Sequence, residues 1–285
     1  LDPVGYTKNK KPTVDKTSLK QYDYSIISKL LEYNKYQKLD SVYGNIKQDI
    51  DEKGLLHFWI QQLGARTGRR TSGGQEDGPT SKNAQNWPPK AKKMIMSRFK
   101  GGKIGSFDYQ SLEPVLYAWI SQDANLFEFF YNGRGYLDIC KQVLGKDIEK
   151  NSPIYKAIKS MSLGIFYNMQ DRKMATNLWL GVMMDGHFKF SESWDIHVGE
   201  VHKHRQKILG LFPGLTRYME KQKVLLARDQ QITAPDGYVR HLPHKGKDGV
   251  KYWGLVNQAI NFPVQHLASM VTGCAMIDCE EALLK

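Results

Sequence analysis

The chain has 285 residues, with 41 Lys and Arg against 29 Asp and Glu and a net charge of +12. That length suits one large domain or two ordinary ones, and the basic excess favours a polyanionic partner, nucleic acid before an anionic membrane. No apolar run approaches the roughly 20 residues of a membrane span, no signal-peptide pattern opens the chain, and the three cysteines, Cys140, Cys274 and Cys279, have neither metal-type spacing nor the even number of a disulfide framework.

In chain order, a polar and basic opening gives way to a helical segment, "SIISKLLEYNKYQKLDSVYGNI", whose Leu30, Leu31, Leu39, Val42 and Tyr43 suit its buried side. "GLLHFWIQQLG" reads as a strand and "TGRRTSGGQEDGPTSKNAQNWPPK" as a long loop with basic ends. "GGKIGSFDYQSLEPVLYAWIS" predicts a strand ending near Asp108, a turn, and a helix carrying Val115, Leu116, Trp119 and Ile120. Helices dominate from Leu126 to about His204, another covers "LFPGLTRYMEKQKVLLAR", and "APDGYVRHLPHKGKDGV" has the signals of a hairpin. A final helix starts near Trp253. The chain opens on Leu1 and its last pattern lacks a capping Gly or following Pro, so both ends read as cut.

Asp108, at a strand exit, suits a hard cation held at a sheet end, with the Tyr109 carbonyl as a second oxygen ligand. Glu113 follows on the first helical turn, where it complements the dipole. By themselves the two also read as a capping Asp and an ordinary first-turn Glu. In "NSPIYKAIKSMSLGIFYNM", Ser152 and Pro153 supply an N-cap and an N1 proline. Ile154, Ile158, Met161 and Ile165 then form an apolar stripe at helical spacing. Tyr155, Lys159, Leu163 and Tyr167 stand four apart on the far side, with Lys156 near Lys159, so that two cations suit phosphates and the ring of Tyr167 suits a base. A solvated basic face fits the same pattern. In "HVGEVHKHR", His197, Glu200 and His204 share a face as metal ligands or belong to a plain solvated helix.

These two segments resemble motifs A and B of family A DNA polymerases. "DYQSLE" is similar to the family's DYSQIE, and Tyr155, Lys159, Leu163 and Tyr167 take the places of its Arg, Lys, Phe and Tyr. "LLEYNKYQKLDSVYGNI" looks like the family's thumb helix, and "TGRRTS" and "KNAQNWP" look like its TGR-x-S and PNLQN-x-P signatures. "PDGYVRHLP" resembles its GYV-T segment and "NQAINFPVQHLASMV" the helix written R-x-A-x-N-x-P-x-QG. The matching segments are collinear over nearly the whole chain.

The resemblance implies an α+β, helix-rich chain of right-hand polymerase architecture with an antiparallel palm sheet. Residues 1–54 would be part of the thumb, 55–125 palm with motif A, 126–250 fingers with motif B, and 251–285 a helix returning to the palm. It implies nucleotidyl transfer from dNTPs to a primer 3′-OH on primer-template DNA by a two-metal mechanism, with two Mg2+ ions, Asp108 as a metal-binding carboxylate and Tyr109 lending its carbonyl. By the same resemblance Lys159 meets the triphosphate, Leu163 and Tyr167 meet the base, Glu113 is the steric gate beside the sugar, and Gln110 and Ser111 offer backbone amides to phosphates. Arg69, Asn83, Gln85, Asn261 and Gln265 match residues that touch DNA, mostly in the minor groove. The implied setting is DNA replication in the cytoplasm of a bacterial or phage-infected cell, with no membrane partner.

The departures are as specific as the matches. Tyr155 replaces the motif B Arg, Leu163 its Phe, Asn168 the Gly after the Tyr, and Tyr136 the His of a D-x-H element, which leaves Lys156 to compensate for the lost Arg. No His-Asp pair occurs, so motif C, an HDE strand carrying the second metal-binding Asp, is expected on a separate C-terminal segment. A phage-type polymerase truncated before motif C is the expectation. A single-subunit phage-type RNA polymerase shares the Lys-to-Tyr spacing, but "TGRRTS", "QNWP" and Glu113 oppose it. A non-catalytic DNA-binding remnant fits Tyr155 and Leu163, whereas Asp108, Lys159 and Glu113 oppose that.

Overall fold

The computed structural model describes residues 19, 24–48, 50–62, 64–72, 87, 89–182, 184, 186–246 and 250–284. The chain divides into two compact units, one of Leu1–Ala65 and Arg69–Asp108, the other of Arg66–Gly68 and Tyr109–Lys285.

The first unit opens on α1 (Ser25–Gln48). Its apolar positions are sparse, and among the described side chains only Ile27 is buried; Leu31 and Leu39 are half-buried and Leu30 is exposed. The side chains of Val42 and Tyr43 lie outside the described residues. β1 (Ile60–Gln61) and β2 (Thr71–Ser72) form an antiparallel pair, with Ile60 opposite Ser72. Before the short α2 (Pro89–Lys92), Trp87 is buried with Ala91 and takes the edge of Phe58 at 5.3 Å. The strand expected over "GLLHFWIQQLG" is therefore confined to two residues. The one expected to end near Asp108 does not form: residues 102–109 carry no ladder, and Phe107 is 97% exposed. A strand lasts where its N–H and C=O groups meet a neighbour, and among the described residues none lies beside this segment.

The second unit is helical. α3 (Leu112–Ser121) is followed by α4 (Ala124–Phe127), which runs into a π-helical turn at Glu128–Asn132, and then by α5 (Tyr136–Leu144) and α6 (Pro153–Phe166). α7 (Asp171–Trp179), α8 (Trp194–Leu211) and α9 (Pro213–Asp229) come next. A hairpin of β3 (Gln231–Thr233) and β4 (Val239–His241) precedes α10 (Val250–Leu284). The core gathers Tyr117 from α3, Ile158, Met161 and Phe166 from α6, Ile208 from α8, and Phe262 and Val264 from α10.

A buried carboxylate joins two helix starts in this core. Asp123 accepts from the Leu126 amide at 3.0 Å and the Leu215 amide at 3.0 Å, so one side chain satisfies N–H groups at the heads of α4 and α9. A Cβ on Gly214 would stand 2.8 Å from that of Asp123, which is why the second start has glycine. The hairpin turns at Gly237, whose φ of +90° suits a residue without a Cβ. The result is a helix-rich α+β chain with small antiparallel sheets. None of its described helices is long and apolar enough to cross a membrane.

Candidate nucleotide site

α6 starts as its sequence specifies. The Ser152 hydroxyl accepts from the Tyr155 amide at 3.3 Å and Pro153 occupies the first turn. Ile158, Met161 and Ile165 are buried, as their spacing predicts. The far row is narrower than the periodicity suggests: Lys159 is exposed and Leu163 and Tyr167 are half-buried, but Tyr155 is 7% exposed and belongs to the core. α6 packs against α5, α7 and α8, so much of its circumference is covered, and a Tyr at the covered edge buries its ring. That burial raises the Tyr155 pKa, and burial of Cys140 itself lifts its thiol to about 11. Lys156 is half-buried beside it.

Around the exposed end of the row the polar groups are fixed by the protein. The Lys159 ammonium lies 5.4 Å from the Tyr136 ring centroid. Burial, and then the neighbouring Tyr155, Tyr167 and Glu113, hold the Tyr136 phenol neutral by raising its pKa. The Tyr167 hydroxyl donates to Glu113 Oε2, joining the end of α6 to the first turn of α3. One turn further along α3, Tyr117 stacks on Phe166 at 5.6 Å and donates to Asn261 Oδ1 at 2.5 Å. Asn261 Nδ2 in turn donates to the Asn257 carbonyl at 2.7 Å, and Asn168 Nδ2 donates to Asn257 Oδ1 at 2.9 Å. The exposed Lys159 thus lies over the ring of Tyr136, and at the end of the same helix the Tyr167 phenol holds the Glu113 carboxylate on a buried hydrogen-bonded frame, an arrangement that suits gripping an anion while presenting a rigid wall.

A second junction lies on α10. His266 is buried, with Nε2 2.7 Å from Asp236 Oδ2 and Nδ1 3.2 Å from the Thr67 carbonyl, and its ring stacks on Tyr238 at 4.6 Å. Ser269 donates to the Gly68 carbonyl at 2.7 Å. Residues from "TGRRTS", "PDGYVRHLP" and "NQAINFPVQHL" therefore meet at one point, although the sequence separates them widely.

The model of DNA polymerase family A matches residues 1–285. The chain belongs to that family. The family A relatives include DNA polymerase I of Helicobacter pylori, 26% identical over 291 residues that cover 98% of this chain and 30% of that protein. DNA polymerase I of Bacillus subtilis is 25% identical over 270 residues, covering 90% of this chain and 28% of that protein. The chain thus spans under a third of the length of these curated relatives. Among solved structures, the POL domain of Pol1 from M. smegmatis, in complex with DNA primer-template and dNTP, has a similar fold: the TM-score is 0.77 at 20% identity, over 99% of this chain and 48% of that one.

The remaining residues expected to act in a family A site are less gathered. Asp108 and Tyr109 are exposed and fall on either side of the division between the two units, and Gln110 is exposed. Ser111 is half-buried at φ +55° and starts α3 by accepting the Val115 amide at 3.1 Å. Arg69 is exposed and Gln265 half-buried, while Asn83 and Gln85 lie outside the described residues. Asn261 is committed to Tyr117 and Asn257 rather than standing free as a groove-reading amide.

Among the described residues no three acidic, His or Cys side chains are grouped to hold a metal, so these residues do not by themselves fit a complete centre for the Mg2+ pair. The metal candidate in "HVGEVHKHR" is overturned. His197 is fully buried, with Nε2 3.1 Å from the Ala175 carbonyl, and Nδ1 accepts the Phe190 amide at 3.1 Å, which leaves neither nitrogen for a metal. Trp179, Phe190 and Trp194 surround its ring. Sequence reasoning missed Tyr117, although its place four residues after Glu113 on one helix was a usable signal.

Proposed function

We propose that the chain is part of a template-directed DNA polymerase that adds deoxynucleotides to a primer 3′ end, with primer-template DNA and dNTPs as its partners. The observation that carries this reading is the Tyr167–Glu113 hydrogen bond at the end of the helix that exposes Lys159, in a family A chain. Phosphoryl transfer is catalysed mainly by positioning and charge. Lys159 offers the charge to the triphosphate. Glu113, held by Tyr167, offers a fixed wall under the sugar, and Leu163 and Tyr167 lie beside the base. A wall that excludes a 2′-hydroxyl favours the DNA polymerase over the phage-type RNA polymerase reading. The net charge of +12 supports a DNA partner bound through its phosphates, with Arg69 and Gln265 as contacts.

Asp108, with the Tyr109 carbonyl, is assigned one side of a Mg2+ centre, and the second carboxylate is assigned to an HDE-containing segment outside this sequence. Gln110 and Ser111 are assigned to the phosphates. The test is Asp108→Asn in the full-length enzyme, with primer extension and DNA binding measured together. Extension should fall by orders of magnitude, about 100-fold or more, with DNA affinity retained. Extension at the wild-type rate would remove Asp108 from the chemistry.

A further inference from the structure

The Tyr167–Glu113 bond is one arc of a closed circuit through three helices. From Glu113 the circuit runs one turn along α3 to Tyr117 and crosses to Asn261 at 2.5 Å. It then steps back one turn along α10 to Asn257 at 2.7 Å, crosses to Asn168 at 2.9 Å, and returns to Tyr167 along the chain. Two of its members stand where this chain leaves the family pattern: Asn168 has the place of the Gly after the motif B Tyr, and Asn257 that of the Arg opening R-x-A-x-N. The two replacements bond to each other.

Asn168 is buried, at 5% exposure, with φ +55°. The left-handed region carries a conformational cost for a residue with a Cβ, and Asn bears it better than most. Here the side chain that incurs the cost also makes the bond to α10. Its amide closes the end of α6 on the Ile165 carbonyl at 2.8 Å, and its carbonyl accepts from Gln170 Nε2 at 3.4 Å. Tyr167 is therefore anchored on both sides, by Phe166 stacked on Tyr117 and by Asn168 bonded to Asn257.

We infer that Asn168 and Asn257 are positioning residues for Tyr167: their carboxamide bond fixes the end of α6 against α10 and thereby sets how firmly Glu113 is held against the sugar of the incoming nucleotide. They act through Tyr167 and touch no substrate. The inference rests on the polymerase reading. It makes this chain's preference for deoxynucleotides depend on a pair of amides outside the nucleotide-contacting row.

The experiment uses the full-length enzyme with Asn257→Ala, Asn168→Gly, the double variant and Asn257→Asp. Asn168→Gly suits the left-handed backbone, so it removes the bond without adding strain. Asn257→Asp keeps an acceptor facing the Asn168 amide. The readouts are kcat/KM for a deoxynucleoside and a ribonucleoside triphosphate on one primer-template, and the melting temperature. Each bond-breaking single variant should lower the deoxy-to-ribo ratio by about fivefold or more, the double should be no worse than either single, and Asn257→Asp should keep most of the wild-type ratio. A lower melting temperature with an unchanged ratio would make the pair a structural staple and overturn the inference. So would independent, additive losses. A wild-type enzyme that extends primers with neither nucleotide would overturn the polymerase reading itself, a result distinct from the other two.

Discussion

The Tyr167 hydroxyl donates to the Glu113 carboxylate across 54 residues of sequence, and so locks the end of α6 to the start of α3. A carboxylate restrained in this way is a poor swinging base and a good wall. Glu113→Ala should therefore narrow the preference for deoxynucleotides by roughly tenfold or more while slowing synthesis, because it both opens space and releases Tyr167. Tyr167→Phe keeps the ring but removes the donor, and should narrow the preference less. Competition between labelled deoxy- and ribonucleotides checks both. A wild-type enzyme that already prefers ribonucleotides would reverse the assignment of Glu113.

Lys159 is the exposed cation of α6, whereas Lys156 is half-buried beside the core-facing Tyr155. A charge-assisted contact to phosphate is worth about 1.5–3 kcal/mol, so Lys159→Ala should raise the apparent nucleotide Kd by roughly 10- to 100-fold. Lys156→Ala should weaken it by a few-fold if Lys156 compensates for the Arg that Tyr155 replaces. Nucleotide titrations of primer extension separate the two, and a Lys156→Ala enzyme indistinguishable from wild type would end the compensation idea.

How much of this was legible depended on how local the cause was. The start of α6 is written in two adjacent residues, Ser152 and Pro153, and its core face in one period, Ile158, Met161 and Ile165, so both were readable. Tyr155 was not, because amphipathic periodicity identifies the most apolar side and is silent on how far neighbouring helices wrap the rest. The segment before Asp108 has strand composition, but a strand is a relation to a second segment, and composition carries only half of it. His197 misled for the same reason: its own helix is polar there, and two of the three rings around it, Trp179 and Phe190, come from outside that helix. The Tyr117–Asn261 bond spans 144 residues and has no local signature at all.

His266 carries a structural prediction. Burial alone would raise the Asp236 pKa, but the hydrogen bonds from His266 and the Tyr238 amide outweigh it and leave that carboxyl below its usual range. His266→Ala removes the bonds to Asp236 and the Thr67 carbonyl together with the stack on Tyr238. The loss should be about 2–3 kcal/mol of stability, and the Asp236 pKa should rise. Denaturant melts give the first quantity and carboxyl NMR titration the second. An unmoved Asp236 would mean that the His266–Asp236 hydrogen bond is not formed in solution.

His197 predicts how the fold responds to acid. Burial lowers its pKa, opposed by the bond to the Ala175 carbonyl and supported by the nearby Lys189, and burial likewise lowers that of His204. The sign follows from linkage. In the unfolded chain the imidazole takes up a proton near its ordinary value of about 6.5, whereas in the folded chain burial disfavours the charged ring and it stays neutral to lower pH, with Nδ1 accepting the Phe190 amide. Stability from this residue is thus complete above that ordinary value and is lost as the pH falls from it through the folded value. Within that window the loss is about 1.4 kcal/mol per pH unit for one such group. His197→Phe keeps an aromatic ring among Trp179, Phe190 and Trp194 but cannot titrate, and it leaves the Ala175 carbonyl and the Phe190 amide without their partner. It should be less stable than wild type at pH 7.5, by roughly 1–3 kcal/mol, and the two should converge as the pH is lowered towards 5. Thermal melts of both across that range check this. A gap that stays constant with pH would assign the acid sensitivity to other groups, His204 first among them.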